Sequence, residues 1–233
     1  MKTLTLSRMV FAALVSIAAD AAAASDAVQC GDYMDDAAAL KTAPRDAQRH
    51  GPHVLTVTHQ AGVKRFANRP PYQEAFGGAH WYYCGFVPAL RAHLVGKNEE
   101  DLFSGVLLLD DTGEMVDAGQ SVLPSVDGEM FQAERQVSGE DGSRWRVATR
   151  SGTTLWDGYA GVLRTVTEQP GGPLVEHIVM SFETPSWNGR MLKASAVCAN
   201  APQTKGVATF SLDGGRWEWR TSLTCVPVDA ASR

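Results

Sequence analysis

The stretch Gly105-Val106-Leu107-Leu108-Leu109-Asp110-Asp111-Thr112-Gly113-Glu114-Met115-Val116 reads as a complete β-hairpin. An apolar run leads in, a short polar segment ending in Gly reverses the chain, and Glu114-Met115-Val116 leads out. Asp before a Gly tolerates unusual backbone angles and offers a side-chain acceptor to the turn. The same grammar recurs on both sides. Upstream, His53-Val54-Leu55-Thr56-Val57-Thr58 turns at Gln60-Ala61-Gly62 and returns as Val63-Lys64-Arg65-Phe66. Downstream, Arg144-Trp145-Arg146-Val147-Ala148-Thr149 turns at Ser151-Gly152 and returns as Thr153-Thr154-Leu155-Trp156. The last such unit is Val207 to Leu212, then Asp213-Gly214-Gly215, then Arg216-Trp217-Glu218-Trp219-Arg220.

β-Branched and aromatic residues with period-two alternation, interrupted by Gly-containing turns, predict antiparallel strands. The fold class expected is all-β or β-dominated, with hairpins forming a sandwich or open barrel. A small propeller-like array is the alternative, since the hairpins recur without a strict period. Further strands are expected at Trp81-Tyr82-Tyr83-Cys84-Gly85-Phe86-Val87, at Leu90 to Val95 and at Val175 to Met180. One short helix is expected over Asp35 to Lys41, favoured by Ala37, Ala38 and Ala39 and ended by Pro44. Arg45 to Pro52 reads as a connector.

Composition agrees with this turn-rich picture. The 233 residues include 22 Gly and 11 Pro, with 44% hydrophobic and 20% charged residues. The formal charge is -5, so the chain as a whole lacks the basic surface of a nucleic-acid binder, and no nucleic-acid partner is expected. Lys2 and Arg8, the apolar run Met9 to Ala19 and the small residues Ala22-Ala23-Ala24 have the order of a secretory signal. The apolar run is too short to span a bilayer comfortably, so no stable membrane insertion is expected. The organisation expected is a signal over 1–24, an N-terminal extension over 25–52 and a single β-rich domain over 53–233. The expected location is periplasmic or secreted.

All 4 cysteines fall after the signal. In an oxidising compartment an even set reads as disulfides. Of the three pairings, Cys30 with Cys84 and Cys198 with Cys225 closes the shorter local loops. No C-x-x-C occurs, which argues against a zinc or redox site.

Sites for chemistry are sparse. The 6 histidines, His50, His53, His59, His80, His93 and His177, form no H-E-x-x-H motif. Asp110, Asp111 and Glu114 lack the ligand alternation of an EF-hand loop, and no metal is expected. No Gly-x-Ser-x-Gly elbow, P-loop, dinucleotide fingerprint or haem-attachment motif occurs, so no cofactor and no catalytic residue is assigned. Aromatic residues carry more information. Alternation places Trp81 and Tyr83 on one side of their strand and Tyr82 on the other; Trp217 and Trp219 share a face. Asn68 to Gly78 reads as a long loop, stiffened by Pro70-Pro71 and freed at its end by Gly77-Gly78. Loops on rigid β scaffolds commonly carry recognition.

Arg69, Tyr72, Phe76, Trp81 and Trp217 are therefore the expected contact residues. The function expected is that of an exported soluble recognition protein that binds a protein or glycan in an inhibitor, immunity-type or accessory role. The alternative is an exported glycan or cell-wall hydrolase with paired carboxylates around Asp101 and Asp111.

Overall fold

The structure is a computed structural model and describes residues 26–30, 35–43, 45–72, 78–99, 102–135, 143–167, 172 and 174–225. It is β-dominated and antiparallel, with a single short α-helix among the described residues, as the hairpin pattern predicts. β1 (Val28–Gln29) and α1 (Ala37–Thr42) come first. β2 (Ala47–Arg49), β3 (Val54–His59) and β4 (Gly62–Ala67) make the first sheet. β5 (Ala79–Val87), β6 (Ala92–Glu99), β7 (Leu102–Leu109) and β8 (Met115–Ala118) make the second. β9 (Ser121–Pro124), β10 (Met130–Arg135), β11 (Arg144–Thr149) and β12 (Thr154–Tyr159) make the third, with β1 added at the β9 edge. β13 (Gly161–Thr167), β14 (Leu174–Asn188), β15 (Met191–Cys198), β16 (Ala201–Asp213) and β17 (Arg216–Thr221) make the fourth.

Neighbouring sheets pack face to face. The first and second share Leu55, Val57 and Phe66 with Tyr83, Val95 and Leu108. The second and third share Leu94, Leu107 and Leu109 with Val122, Phe131, Ala133 and Ala148. The third and fourth share Trp145, Val147 and Trp156 with Phe182, Leu192, Ala208 and Phe210. Alternation then explains the run Leu107-Leu108-Leu109. Leu107 and Leu109 face the third sheet and Leu108 faces the first, so a strand covered on both sides has no solvent face to keep polar. Each such Leu, fully buried, contributes about 1.5–3 kcal/mol relative to exposure. Apart from β1, which joins the third sheet, the chain completes each sheet before starting the next, as in an array of blades, while adjacent sheets meet as in a sandwich.

Three details differ from the sequence pattern. The expected connector Arg45–Pro52 contains β2, because Ala47 is small enough to bury against Leu55 and Val57 while Gln48 remains exposed. The strand expected from Leu90 begins at Ala92, since Pro88–Leu90 form a 3-10 turn closed by Arg91 in the left-handed region. The hairpin turn after Leu109 takes its side-chain cap from Thr112, whose Oγ1 accepts the Glu114 N–H at 3.2 Å. Asp110 instead reaches across to the first sheet, accepting the Gln60 N–H at 3.0 Å.

Both expected disulfides are formed, Cys30–Cys84 with Cα atoms 4.5 Å apart and Cys198–Cys225 with Cα atoms 5.5 Å apart. The first ties the end of β1 to β5. The second ties the end of β15 to the segment after β17 and so brackets the β16–β17 hairpin. The expected signal lies outside the described residues. Among the described residues no helix is long and apolar enough to cross a membrane.

Candidate functional site

The candidate site is built where β4 hands the chain to β5. Arg69 and Ala79 exchange backbone hydrogen bonds, Arg69 N–H to Ala79 O at 2.8 Å and Ala79 N–H to Arg69 O at 3.1 Å. These two bonds close the base of the expected recognition loop. Asn68 braces both flanks. Its N–H donates to His53 O at 2.8 Å, and its Oδ1 accepts the Trp81 N–H at 2.9 Å.

Three of the expected contact residues meet on this base. Tyr72 stacks on the His53 imidazole with ring centroids 3.7 Å apart and planes 17° apart, and it is 43% exposed. Trp81 packs one side against Phe66 at 5.1 Å, anchoring the ring to the core below. Its partner across the β5–β6 ladder is Lys97, whose Nζ lies 5.4 Å from the indole centroid. A cation over an aromatic face is attracted by the ring quadrupole. Arg69 and Lys97 both donate to Glu99. The hydrogen bond from Lys97, reinforced by the charges of Lys97 and Arg69, outweighs partial desolvation and holds the Glu99 carboxyl below the usual range.

The arrangement is an exposed Tyr72 ring and a half-buried Trp81 on one loop base, with two cations and one anion paired alongside Trp81. Such a surface offers stacking area and oriented charge. Its carboxyl, Glu99, is held toward the charged form. Among the described residues the carboxyl groups whose pKa values are displaced, Glu99, Asp111 and Asp127, all move down. For Asp111 the leading cause is the hydrogen bond from Arg150 Nη2 at 2.7 Å. A glycosidase acid needs displacement in the other direction. Asp101 lies outside the described residues, as does Phe76.

Trp217 belongs to a different layer. On β17 it stacks on Phe210 at 5.2 Å and 17°, half-buried between the third and fourth sheets. Lys97, Asn68 and His53 are the site residues that sequence reasoning did not find. Lys97 carried a signal: it breaks the apolar pattern of β6 two residues before Glu99, on the strand that pairs with Trp81. His53 carried none, because its contact with Tyr72 is set by how the loop folds back. Among the described residues no group of three or more His, Cys, Asp or Glu could hold a metal ion. Compared with known proteins, the chain matches no family model, no curated protein and no solved structure.

Proposed function

We propose that the protein is an exported recognition protein that binds a protein or glycan partner through the corner made by Arg69, Tyr72 and Trp81. The observation that carries this reading is the Tyr72–His53 stack, which presents an exposed ring on a braced loop base beside Arg69 and the Lys97–Trp81 pair. The backbone bonds between Arg69 and Ala79 already close the loop base, so a partner gains contact area without first organising it. The two disulfides fit an oxidising compartment, which supports export to the periplasm or beyond.

Purified oxidised protein, immobilised and exposed to envelope fractions, culture medium and a glycan array, provides the test. Binding is expected to fall about tenfold in Tyr72→Ala, the loss of one contact residue worth ~1–2 kcal/mol. Trp81→Ala is expected to weaken it further while also removing packing on Phe66. A partner held equally well by wild type and Tyr72→Ala would overturn the assignment. Turnover of a cell-wall or glycan substrate, abolished by single carboxylate replacements, would overturn it in favour of the hydrolase.

A further inference from the structure

A second cluster, away from the charged corner, lies on the face of the second sheet that packs against the first. His93 on β6 and Tyr83 on β5 are 2% and 1% exposed. The Tyr83 hydroxyl and His93 Nδ1 are 3.1 Å apart. His93 Nε2 lies 3.9 Å from Asp110 Oδ1, too far for a hydrogen bond but close for a charge. The tautomer follows from these contacts. A lone pair aimed at the Asp110 carboxylate is disfavoured, so Nε2 carries the proton, and Nδ1 accepts from the phenol. Burial, with the Asp46 charge adding to it, pushes the Tyr83 pKa far up, so the phenol keeps its proton.

The same place is where the first sheet is fastened. Asp110 accepts the Gln60 N–H of the β3–β4 turn, and Arg91 Nη2 donates to Gln60 Oε1 at 3.1 Å. Asp110 N–H donates to Arg91 O at 2.9 Å, so the two groups that grip Gln60 are themselves joined. His59 at the end of β3 presses on Gly113, where a Cβ would lie 3.3 Å from Nδ1. His59 Nδ1 is buried without a hydrogen-bond partner among the described residues. Phe86 covers His93 at 4.9 Å. The ionisable groups around His93 are thus Tyr83 on β5, Asp110 at the end of β7, Asp46 ahead of β2 and His59 on β3, with Arg91 ahead of β6.

We propose that this corner is an acid-sensitive latch, in which protonation of His93 breaks the Tyr83–His93 hydrogen bond on the buried face of the second sheet and loosens the first sheet that covers it. A protonated His93 has a donor at Nδ1 where it had an acceptor. The phenol can accept it only by turning its own proton away from His93, which gives up the buried hydrogen bond it made. The direction in pH follows from burial. Desolvation is the largest influence and lowers the His93 pKa; Asp110 and Asp46 pull it up and His59 pushes it down, with a net lowering. The unfolded chain therefore binds this proton more readily than the folded one. The latch is fully closed above the ordinary imidazole value of 6.5 and is lost as pH falls through the lower folded value.

Amide hydrogen exchange on the full chain at pH 7.5 and 5.0, corrected for the intrinsic rate, tests this. Exchange over 47–67 is expected to quicken by up to about tenfold per pH unit through the transition, while 121–159 and 191–221 keep their protection. His93→Gln retains an acceptor for the phenol and has no proton to gain, so its first sheet is expected to stay protected in acid. Should that variant fail to fold, the His93 ring resonances of the wild type supply the second measurement. Their titration midpoint is expected to coincide with the midpoint of first-sheet opening. Equal opening in His93→Gln, separate midpoints, or loss of protection in all four sheets together would each overturn the latch.

Discussion

The Asp36 carboxylate accepts the backbone N–H of Tyr83 at 3.1 Å, linking the start of the helix to an edge strand 47 positions later. An edge strand carries unpaired backbone groups that invite another chain. Here β5 is an edge of its sheet, and Asp36 and Arg49 cover it jointly. Arg49 Nη2 donates to Asp36 Oδ2 at 2.7 Å and to Trp81 O at 2.6 Å, so one ion pair satisfies a donor and an acceptor of the same strand. Helix capping falls instead to Asp35, whose Oδ1 accepts the Ala37 N–H at 2.9 Å.

Asp36→Ala should therefore destabilise far more than Asp35→Ala. The first strands the Arg49 guanidinium and the Tyr83 N–H together, for about 2–3 kcal/mol. The second removes an exposed cap, for about 0.5–1 kcal/mol. Urea denaturation at neutral pH separates the two. Similar costs would show that Asp36 does not hold β5.

The strands around Gly62, Gly113, Gly152 and Gly214 were legible because each carries its own turn and its own alternation. The faces were legible in part: Trp81 and Tyr83 go one way and Tyr82 the other, as β periodicity requires. β9 and β10 were not read, because Ser121-Val122-Leu123-Pro124 is too short and Met130–Arg135 too mixed to stand out. Their pattern depends on layers above and below that local sequence does not name. The candidate site divides in the same way. Arg69, Tyr72 and Trp81 stand out in the sequence by residue type and loop chemistry, whereas the charge array needs the β5–β6 register to bring Lys97 opposite Trp81.

The two disulfides should differ measurably. Their partners are 54 and 27 positions apart, a factor of two in loop length. In the chain-entropy picture each contributes roughly 3–4 kcal/mol, and each doubling of the loop adds about 0.6 kcal/mol. Replacing Cys30 and Cys84 with Ala should lower stability by that small margin more than replacing Cys198 and Cys225. Reduction of the wild type should cost close to the sum of both. Thermal unfolding of the two double variants checks the order, and peptide mapping that finds free thiols in oxidised protein would contradict it.

Gly119 should tolerate no side chain. It lies between β8 and β9, where a methyl group would overlap the backbone carbonyl of Glu134 on β10. That carbonyl already accepts the Gln120 N–H at 3.0 Å and has no freedom to retreat. Gly119→Ala must shift the second sheet relative to the third, for about 1–3 kcal/mol. Gly189→Ala meets nothing within 4 Å, so its cost is the left-handed backbone alone, at φ +59, and should be about 1 kcal/mol. A chemical denaturation series that ranks Gly189→Ala as the more damaging would refute the close approach at Gly119.

Asp127 gives a prediction that depends on pH. Burial raises its pKa, but the hydrogen bonds from Ser125 Oγ at 2.7 Å, from the Glu129 N–H at 3.1 Å and from Arg190 prevail and hold it below 3.8. A carboxyl lowered in the folded state adds stability above its unfolded pKa, and this is lost as pH falls through the folded value. Asp127→Ala should thus cost about 1 kcal/mol at pH 7, and the difference from wild type should close only below about pH 4. Arg190 is a weaker contributor. Its Nε lies 3.3 Å from Asp127 Oδ2, but its side chain is 70% exposed, so solvent screens the pair. Arg190→Ala should change stability by less than about 0.5 kcal/mol. Equal losses in the two variants would mean that the ion pair between the β9–β10 and β14–β15 turns, and not the turn's own hydrogen bonds, holds this end of the stack.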